Sequence, residues 1–286
     1  MRHAILGPGG VGGLLAAALR RAGHPVTLIV RPGTAAGFPR TIHVESDVLG
    51  EIDAEVEVTE RLSEAADVLW VTVKAGQLEA ALAQAPAQLV GAAVPLLNGV
   101  DHLESLRRAY GAEKVVVGTI RVEAEKLGPG SFRQKGPFIV LELAGRPDIV
   151  EEVAGAGIAA RTVDDGERAL WAKLIMLAPF ALTSTASQLT LGEIVEQPEW
   201  RDRMVGAMLE VKAVAAARGI ELEEPVGMLN VAARDMRTSM QKDAAAGRPL
   251  ELDHISGPIV RGGREGGVPT PRTEELVGLI RARYQG

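Results

Sequence analysis
The stretch ALWAKLIMLAPFAL, Ala169 to Leu182, carries one ionisable side chain, Lys173. Leu170, Leu174 and Leu177 recur at the spacing of a helix face turned toward a core. Fourteen residues fall short of a bilayer span, so the expectation is a buried helix. A lysine there has three outcomes. It snorkels to water along its four-carbon stem, finds polar partners, or gives up its proton more readily because burial disfavours the charged form. The first outcome is structural. The other two make Lys173 a candidate for chemistry.

A second set of such residues lies in HAILGPGGVGGLLAAALRRAGHPVTLIVR. Ala4 to Leu6 read as the end of a buried strand, LLAAALRRAG as a helix closed by Gly23, and Val26 to Val30 as another strand. Gly7, Pro8, Gly9, Gly10, Val11 and Gly12 form a G-x-G-x-x-G in the strand–turn–helix context that dinucleotide binding requires. In this pattern Gly7 permits the tight turn and Gly9 lets backbone approach a pyrophosphate, while Gly12 lets helix and strand pack closely. The helix N-terminus offers unpaired N–H groups to the phosphates. NAD binders place an acid at the end of the second strand, but here stands Arg31, with no acid before Glu45. A cation favours the 2′-phosphate of NADP(H). The plainer reading is a solvated arginine.

Two more polar positions follow apolar runs: Lys74 after LWVTV, and Asn98-Gly99 after VPLL. In α/β sheets ligands bind beyond the carboxyl ends of strands, so the two together suggest one cleft. Singly, Lys74 would solvate a loop and Asn98 would cap the next helix. In TSMQKDAAAGRPLELDHISG, Gly247 with Arg248-Pro249 ends a helix, and Glu251 and Asp253 open the next segment. Acids are also favoured there by the helix dipole alone. Ser239, placed in the last turns of the preceding helix, reads by itself as a surface serine.

These residues need a scaffold, and 286 residues suggest two domains. Strand candidates DVLWVTV, AVPLL, KVVVGTI and FIVLEL alternate with helical QLEAALAQAPAQL and DHLESLRRAYG. The pattern predicts an α/β, Rossmann-type doubly wound, mainly parallel sheet. From about Asp164 long helical patterns take over: ERALWAKLIML, EWRDRMVGAMLEVKAVAAARG and VGMLNVAARDMRTSMQKDAAAG, then two shorter helices. The expected organisation is an NADP-binding Rossmann-like domain over residues 1–164 and an all-helical substrate and catalytic domain over 165–286, with a cleft between them. Aromatics are only 3% of a chain that is 47% hydrophobic, so aliphatic side chains must fill its core. A net charge of −6 without a long basic run argues against a nucleic-acid partner. The absence of cysteine excludes disulfides, thiol nucleophiles and iron–sulfur clusters. His3, His24, His43, His102 and His254 lack ligand spacing, so no metal site is expected. Met1-Arg2-His3 runs straight into a strand and leaves no room for a signal peptide. A cytoplasmic protein without a membrane partner is expected, and a homodimer through exposed apolar helices is compatible with the sequence.

Read in order, GPGGVG, VTVKAGQ, LLNGV, the ALWAKL helix, TSMQKD and GRPLELDHISG resemble the ketopantoate reductase (2-dehydropantoate 2-reductase) family over essentially the whole chain. The resemblance implies a Rossmann domain followed by an all-helical domain similar to that of 6-phosphogluconate dehydrogenase. It also implies NADPH-dependent reduction of ketopantoate to pantoate, in pantothenate biosynthesis, by hydride transfer to C2 of a 2-oxo acid. By the same resemblance Lys173 is the catalytic lysine that protonates the carbonyl oxygen, and Glu251 binds the substrate hydroxyl. Asn98 positions the lysine and cofactor, and Ser239 contacts the substrate carboxylate. Arg31 and Lys74 are cofactor-side cations, with Arg31 at the 2′-phosphate.

One departure concerns the substrate. The family's lysine helix usually carries asparagines four and eight residues after the lysine, where this chain has Leu177 and Ala181 with Pro179 between them. Arg121, at the end of KVVVGTIR, is either a replacement carboxylate contact or a solvated arginine. Two alternatives follow. One is a reductase of a different, more apolar 2-oxo acid. The other is a non-catalytic NADP-binding regulatory protein, against which retention of Lys173, Glu251 and Asn98 argues.

Overall fold
Apolar runs broken by glycine set the first strand–helix–strand unit: β1 (His3–Leu6), α1 (Gly10–Arg21) and β2 (Val26–Ile29). The computed structural model describes residues 1–230 and 234–284. It continues through β3 (Thr41–Ser46), β4 (Gly50–Glu55), β5 (Glu57–Thr59), β6 (Ala66–Val71), α2 (Leu78–Leu82) and β7 (Val90–Pro95). There follow α3 (His102–Tyr110), β8 (Gly118–Gly128), β9 (Ser131–Ala144), α4 (Pro147–Gly155) and β10 (Ala159–Val163). The chain divides into two units: Met1–Leu97 with His102–Ala169, and Asn98–Asp101 with Leu170–Gly286.

The first unit holds a five-stranded parallel sheet in the order β5-β2-β1-β6-β7. Its central β1 is buried along its whole length, as a strand covered on both faces must be. Leu6 is level with both Ile29 and Val71. The turns after β1, β2 and β6 therefore leave the same edge, and these turns carry Gly7, Arg31 and Lys74.

A second sheet, β10-β9-β3-β4 with β8 paired to β9, is mixed. Here the structure departs from the sequence-based expectation. KVVVGTI and FIVLEL contribute to a long antiparallel hairpin, β8 with β9, outside the first sheet, and the FIVLEL residues pair parallel with β10. The β3–β4 hairpin was not anticipated, because its residues alternate between core and solvent and carry many charges on the open face. QLEAALAQAPAQL yields the short α2 and a 3-10 turn at Ala87–Leu89 in place of one helix, since Pro86 cannot extend a helix and turns its predecessor away from one.

The second unit takes in most of α5 (Gly166–Ser187), then α6 (Leu191–Glu196), α7 (Pro198–Ala217), α8 (Ser239–Ala245), α9 (Leu252–Gly266) and α10 (Pro271–Tyr284). Its core joins Trp171, Leu174, Ile175, Ala178 and Leu182 of α5 to Val211 and Val214 of α7, Ile255 and Ile259 of α9, and Leu276 and Ile280 of α10. Buried Glu210 of α7 accepts the Arg272 and Thr273 backbone N–H groups at 2.6 and 2.8 Å, placing an anion at the positive end of α10. Among the described residues α5 is long and apolar enough to cross a membrane, yet 72% of its apolar window is buried inside the protein. The single helix expected over VGMLNVAARDMRTSMQKDAAAG does not form. Val226–Asn230 is a 3-10 turn, residues 231–233 lie outside the described residues, and Thr238 caps a separate α8. Ser239 consequently begins a helix and does not sit in the last turns of one. Its predecessor's hydroxyl accepts the Gln241 N–H at 3.2 Å, the bond that starts α8 there.

Candidate active site
Along α5 from Ala169 one strip stays half-exposed: Ala169, Ala172, Lys173, Met176 and Leu177. These follow the i, i+3, i+4 spacing of one helix face. Leu177, expected on the core face, lies on this strip one turn after Lys173. The core direction is set by Trp171, Ile175, Ala178 and Leu182, and helical rotation carries Leu177 away from it. Ala181 is fully packed.

Lys173 finds a partner. Its Nζ donates to Asn98 Oδ1 at 3.1 Å, which orients the amine. The LLNGVD segment that supplies Asn98 is tied to the helical unit at three points. Val100 packs on the helical core, Asp101 pairs with Arg261, and Gly99 has φ of +84° against α9. A Cβ on Gly99 would come within 2.6 Å of the His254 carbonyl oxygen, so only glycine allows this approach. His254 lies in the first turn of α9, whose cap position is Glu251. Lys173, Asn98 and the start of α9 are thereby linked. The Glu251 side chain is half-buried and accepts no hydrogen bond from its own helix N-terminus, so it does not serve as a cap. Asp253 is engaged elsewhere, with Arg281 at 2.8 Å.

In the first unit the glycine turn is shaped by its neighbours. Gly7 has φ of +84°, and a Cβ there would meet Val73 at 2.4 Å. Thr72 Oγ1 donates to the Gly7 carbonyl at 2.8 Å and pins the end of β6 to the turn. At Gly12 a Cβ would meet Thr72 Oγ1 at 2.4 Å and Ile5 at 2.9 Å, which is the close helix–strand contact the motif needs. Gly9 faces open space, with only the Gly7 oxygen at 4.0 Å. The first turn of α1 has no acidic residue, and Gly9 provides no side-chain cap. Open space beside uncapped N–H groups fits a dinucleotide pyrophosphate.

Arg31 is exposed two residues beyond β2, its carbonyl accepting the Thr34 N–H and hydroxyl at 3.1 and 2.6 Å. Glu60 anchors the same loop by accepting the Ala35 N–H at 3.0 Å. Backbone N–H groups of Gly33 and Ala35 hold the Glu60 carboxyl below its ordinary range. Lys74 is exposed at the cap of the turn Ala75–Gln77, next to the Val73 that packs on Gly7. Thr72 is a participant that sequence reasoning passed over. Its only signal was a hydroxyl interrupting LWVTV just before the lysine.

Ser239 is exposed and makes no hydrogen bond to Lys173, Asn98 or Glu251 among the described residues. The neighbouring Thr238 bonds Ser184 at 2.9 Å, eleven residues beyond Lys173 on α5, or about 16 Å by helical rise. Arg121 faces buried Glu142 at 3.5 Å, where Arg161 and the Thr119 hydroxyl also bond. Burial pushes the Glu142 carboxyl up, but these partners outweigh it and hold it below its ordinary range. Arg121 thus faces a structural carboxylate while staying partly exposed. The histidines are also less scattered than their spacing suggested: His3, His24 and Glu152 bring ligand atoms within 4.8 Å of one another. Trp70 Nε1 donates to His3 Nδ1 at 3.1 Å, so the neutral ring keeps its proton on Nε2, toward Glu152 at 3.0 Å. That tautomer offers no lone pair to a cation.

A family model described as Ketopantoate reductase PanE/ApbA matches residues 3–141, and its C-terminal counterpart matches residues 165–285. The 2-dehydropantoate 2-reductase of Mycobacterium tuberculosis (strain ATCC 25618 / H37Rv) is 32% identical, over 99% of this chain and 98% of the relative. The structure of a PanE/ApbA family ketopantoate reductase from Ralstonia eutropha JMP134 aligns with a TM-score of 0.88 at 30% identity, covering 100% of both chains. A D-mandelate dehydrogenase solved with NADH and anilino(oxo)acetate has the same fold. Its TM-score is 0.89 at 22% identity, covering 100% of this chain and 99% of that one.

Proposed function
The chain belongs to the ketopantoate reductase family of oxidoreductases acting on a 2-oxo acid, and we propose that it reduces ketopantoate to pantoate with NADPH. The observation that carries this reading is the Lys173–Asn98 pair at 3.1 Å beside the start of α9. NADPH, when bound, supplies the hydride for C2. The glycine turn and the α1 N-terminus bind its pyrophosphate, and Arg31 and Lys74 supply positive charge, Arg31 at the 2′-phosphate. Lys173 hands its proton to the carbonyl oxygen as negative charge develops there, and Asn98 holds the amine in that direction. Glu251 accepts the substrate hydroxyl. Retention of this trio argues against a non-catalytic binding protein.

Leu177 favours a second reading. It puts an apolar side chain on the strip with Lys173, which suits a 2-oxo acid more apolar than ketopantoate. Both readings use the same proton donor. Lys173→Ala is expected to lower turnover by at least about 100-fold while NADPH affinity stays nearly unchanged, because a general acid acts mainly in the transition state. Near-normal turnover by the folded variant would return Lys173 to a structural role.

A further inference from the structure
We propose that Lys126 is a second determinant of cofactor choice, closing with Arg31 on the 2′-phosphate as a pair of cations. The inference rests on the NADPH reading above and deepens it. Lys126 sits near the end of β8, far from Arg31 in sequence. The fold brings them together because β8 passes directly over the amino end of α1. A Cβ on Gly10 would come within 2.4 Å of the Ala124 oxygen and 2.6 Å of the Glu125 nitrogen. Two residues past Ala124, the Lys126 ammonium stands 5.4 Å from the centre of the Phe38 ring. Phe38 is buried in the core of the first unit and closes the loop that Arg31 opens. The ring therefore holds the ammonium against that loop by a cation–π contact.

Two like charges then share one corner. Lys126 is exposed as a residue, yet burial around its ammonium, and after that the Arg31 charge, lower its pKa from the ordinary lysine value. Nothing among the described residues neutralises either group, since neither Arg31 nor Lys126 forms an ion pair there. The nearby acids are committed. Glu60 accepts loop N–H groups, Glu125 pairs with Lys135 at 4.0 Å, and Glu45 pairs with Arg133 at 2.7 Å. Adjacent uncompensated cations are unfavourable unless an anion joins them. They lie at the carboxyl end of β2, where the adenosine ribose falls when a pyrophosphate occupies the α1 N-terminus. A phosphate on the 2′-oxygen supplies nearly two negative charges at neutral pH, and NADH has none there.

The test is calorimetric titration of NADPH and NADH into the wild type, Lys126→Gln, Lys126→Arg and Arg31→Gln, at low and high salt. The wild type should prefer NADPH. Lys126→Gln should lose roughly 10-fold in NADPH affinity with a shallower salt dependence, and NADH affinity should not change. Lys126→Arg should retain the preference. Unchanged NADPH affinity in Lys126→Gln, or an equal loss for both cofactors, overturns the proposal. If that variant is neutral while Arg31→Gln abolishes the preference, Lys126 is excluded and the NADPH reading stands. A wild type without preference overturns both.

Discussion

One turn beyond Lys173, the half-exposed strip of α5 presents a leucine where relatives of this chain are expected to present an amide. Leu177 belongs to neither apolar cluster of the helical unit among the described residues, and under the proposed function its half-exposed side chain would face the substrate beside Lys173. A neutral hydrogen bond is worth about 0.5–1.5 kcal/mol. Leu177→Asn is therefore expected to lower KM for ketopantoate by roughly 2–10-fold, with little change for a 2-oxo acid lacking the hydroxyl. Steady-state kinetics with both substrates would show it, and an unaltered KM would place Leu177 outside the pocket. Lys173 and Asn98 were legible in the sequence because each is a polar residue set against an apolar run. Lys126 was not. Its neighbours in the chain are other charged residues, and its position depends on a strand crossing that no local pattern records.

Between elements, the amino terminus of β1 is clasped to α4. Glu152 of α4 receives the Met1 amine at 3.0 Å and the His3 ring at 3.0 Å, and His24 stands 3.4 Å away. Burial lowers the His3 pKa from 6.5 to about 4. The unfolded chain therefore binds a proton that the folded one refuses between pH 6.5 and about 4, and stability must fall as pH drops through that window. Burial raises the Glu152 carboxyl, but the Met1 amine and His3 outweigh it and leave it below its ordinary range, so acid weakens the clasp from that side too. Denaturation at pH 7 and pH 5 should differ by about 2 kcal/mol on account of His3, and His3→Gln should flatten the difference. An equal pH slope in the variant would assign the acid sensitivity elsewhere. Sequence spacing concealed this clasp, because its members are joined by a helix packing on a strand end. The break before α8 was concealed for a different reason: periodicity ran on through Thr238, but its hydroxyl offered the backbone a cap.

For the whole molecule, the alternation of strands and helices announced the parallel sheet, and its register delivers Gly7, Arg31 and Lys74 to one edge. The second sheet was hidden by the charge-rich alternation of β3 and β4, which looks like surface until β9 pairs with it. Assigning Asn98–Asp101 to the helical unit was likewise beyond local patterns, although it gives Lys173 its partner. Reduction of a 2-oxo acid by this chain is measured most directly as the rate of NADPH oxidation with ketopantoate, 2-oxoisovalerate and larger branched 2-oxo acids, with formation of the 2-hydroxy acid quantified. Saturable turnover is expected, with one hydroxy acid formed per NADPH consumed. A higher kcat/KM for the apolar acids would select the second reading, and a higher value for ketopantoate the first. NADPH binding without reduction of any of these acids would rule out a 2-oxo acid reductase of this kind.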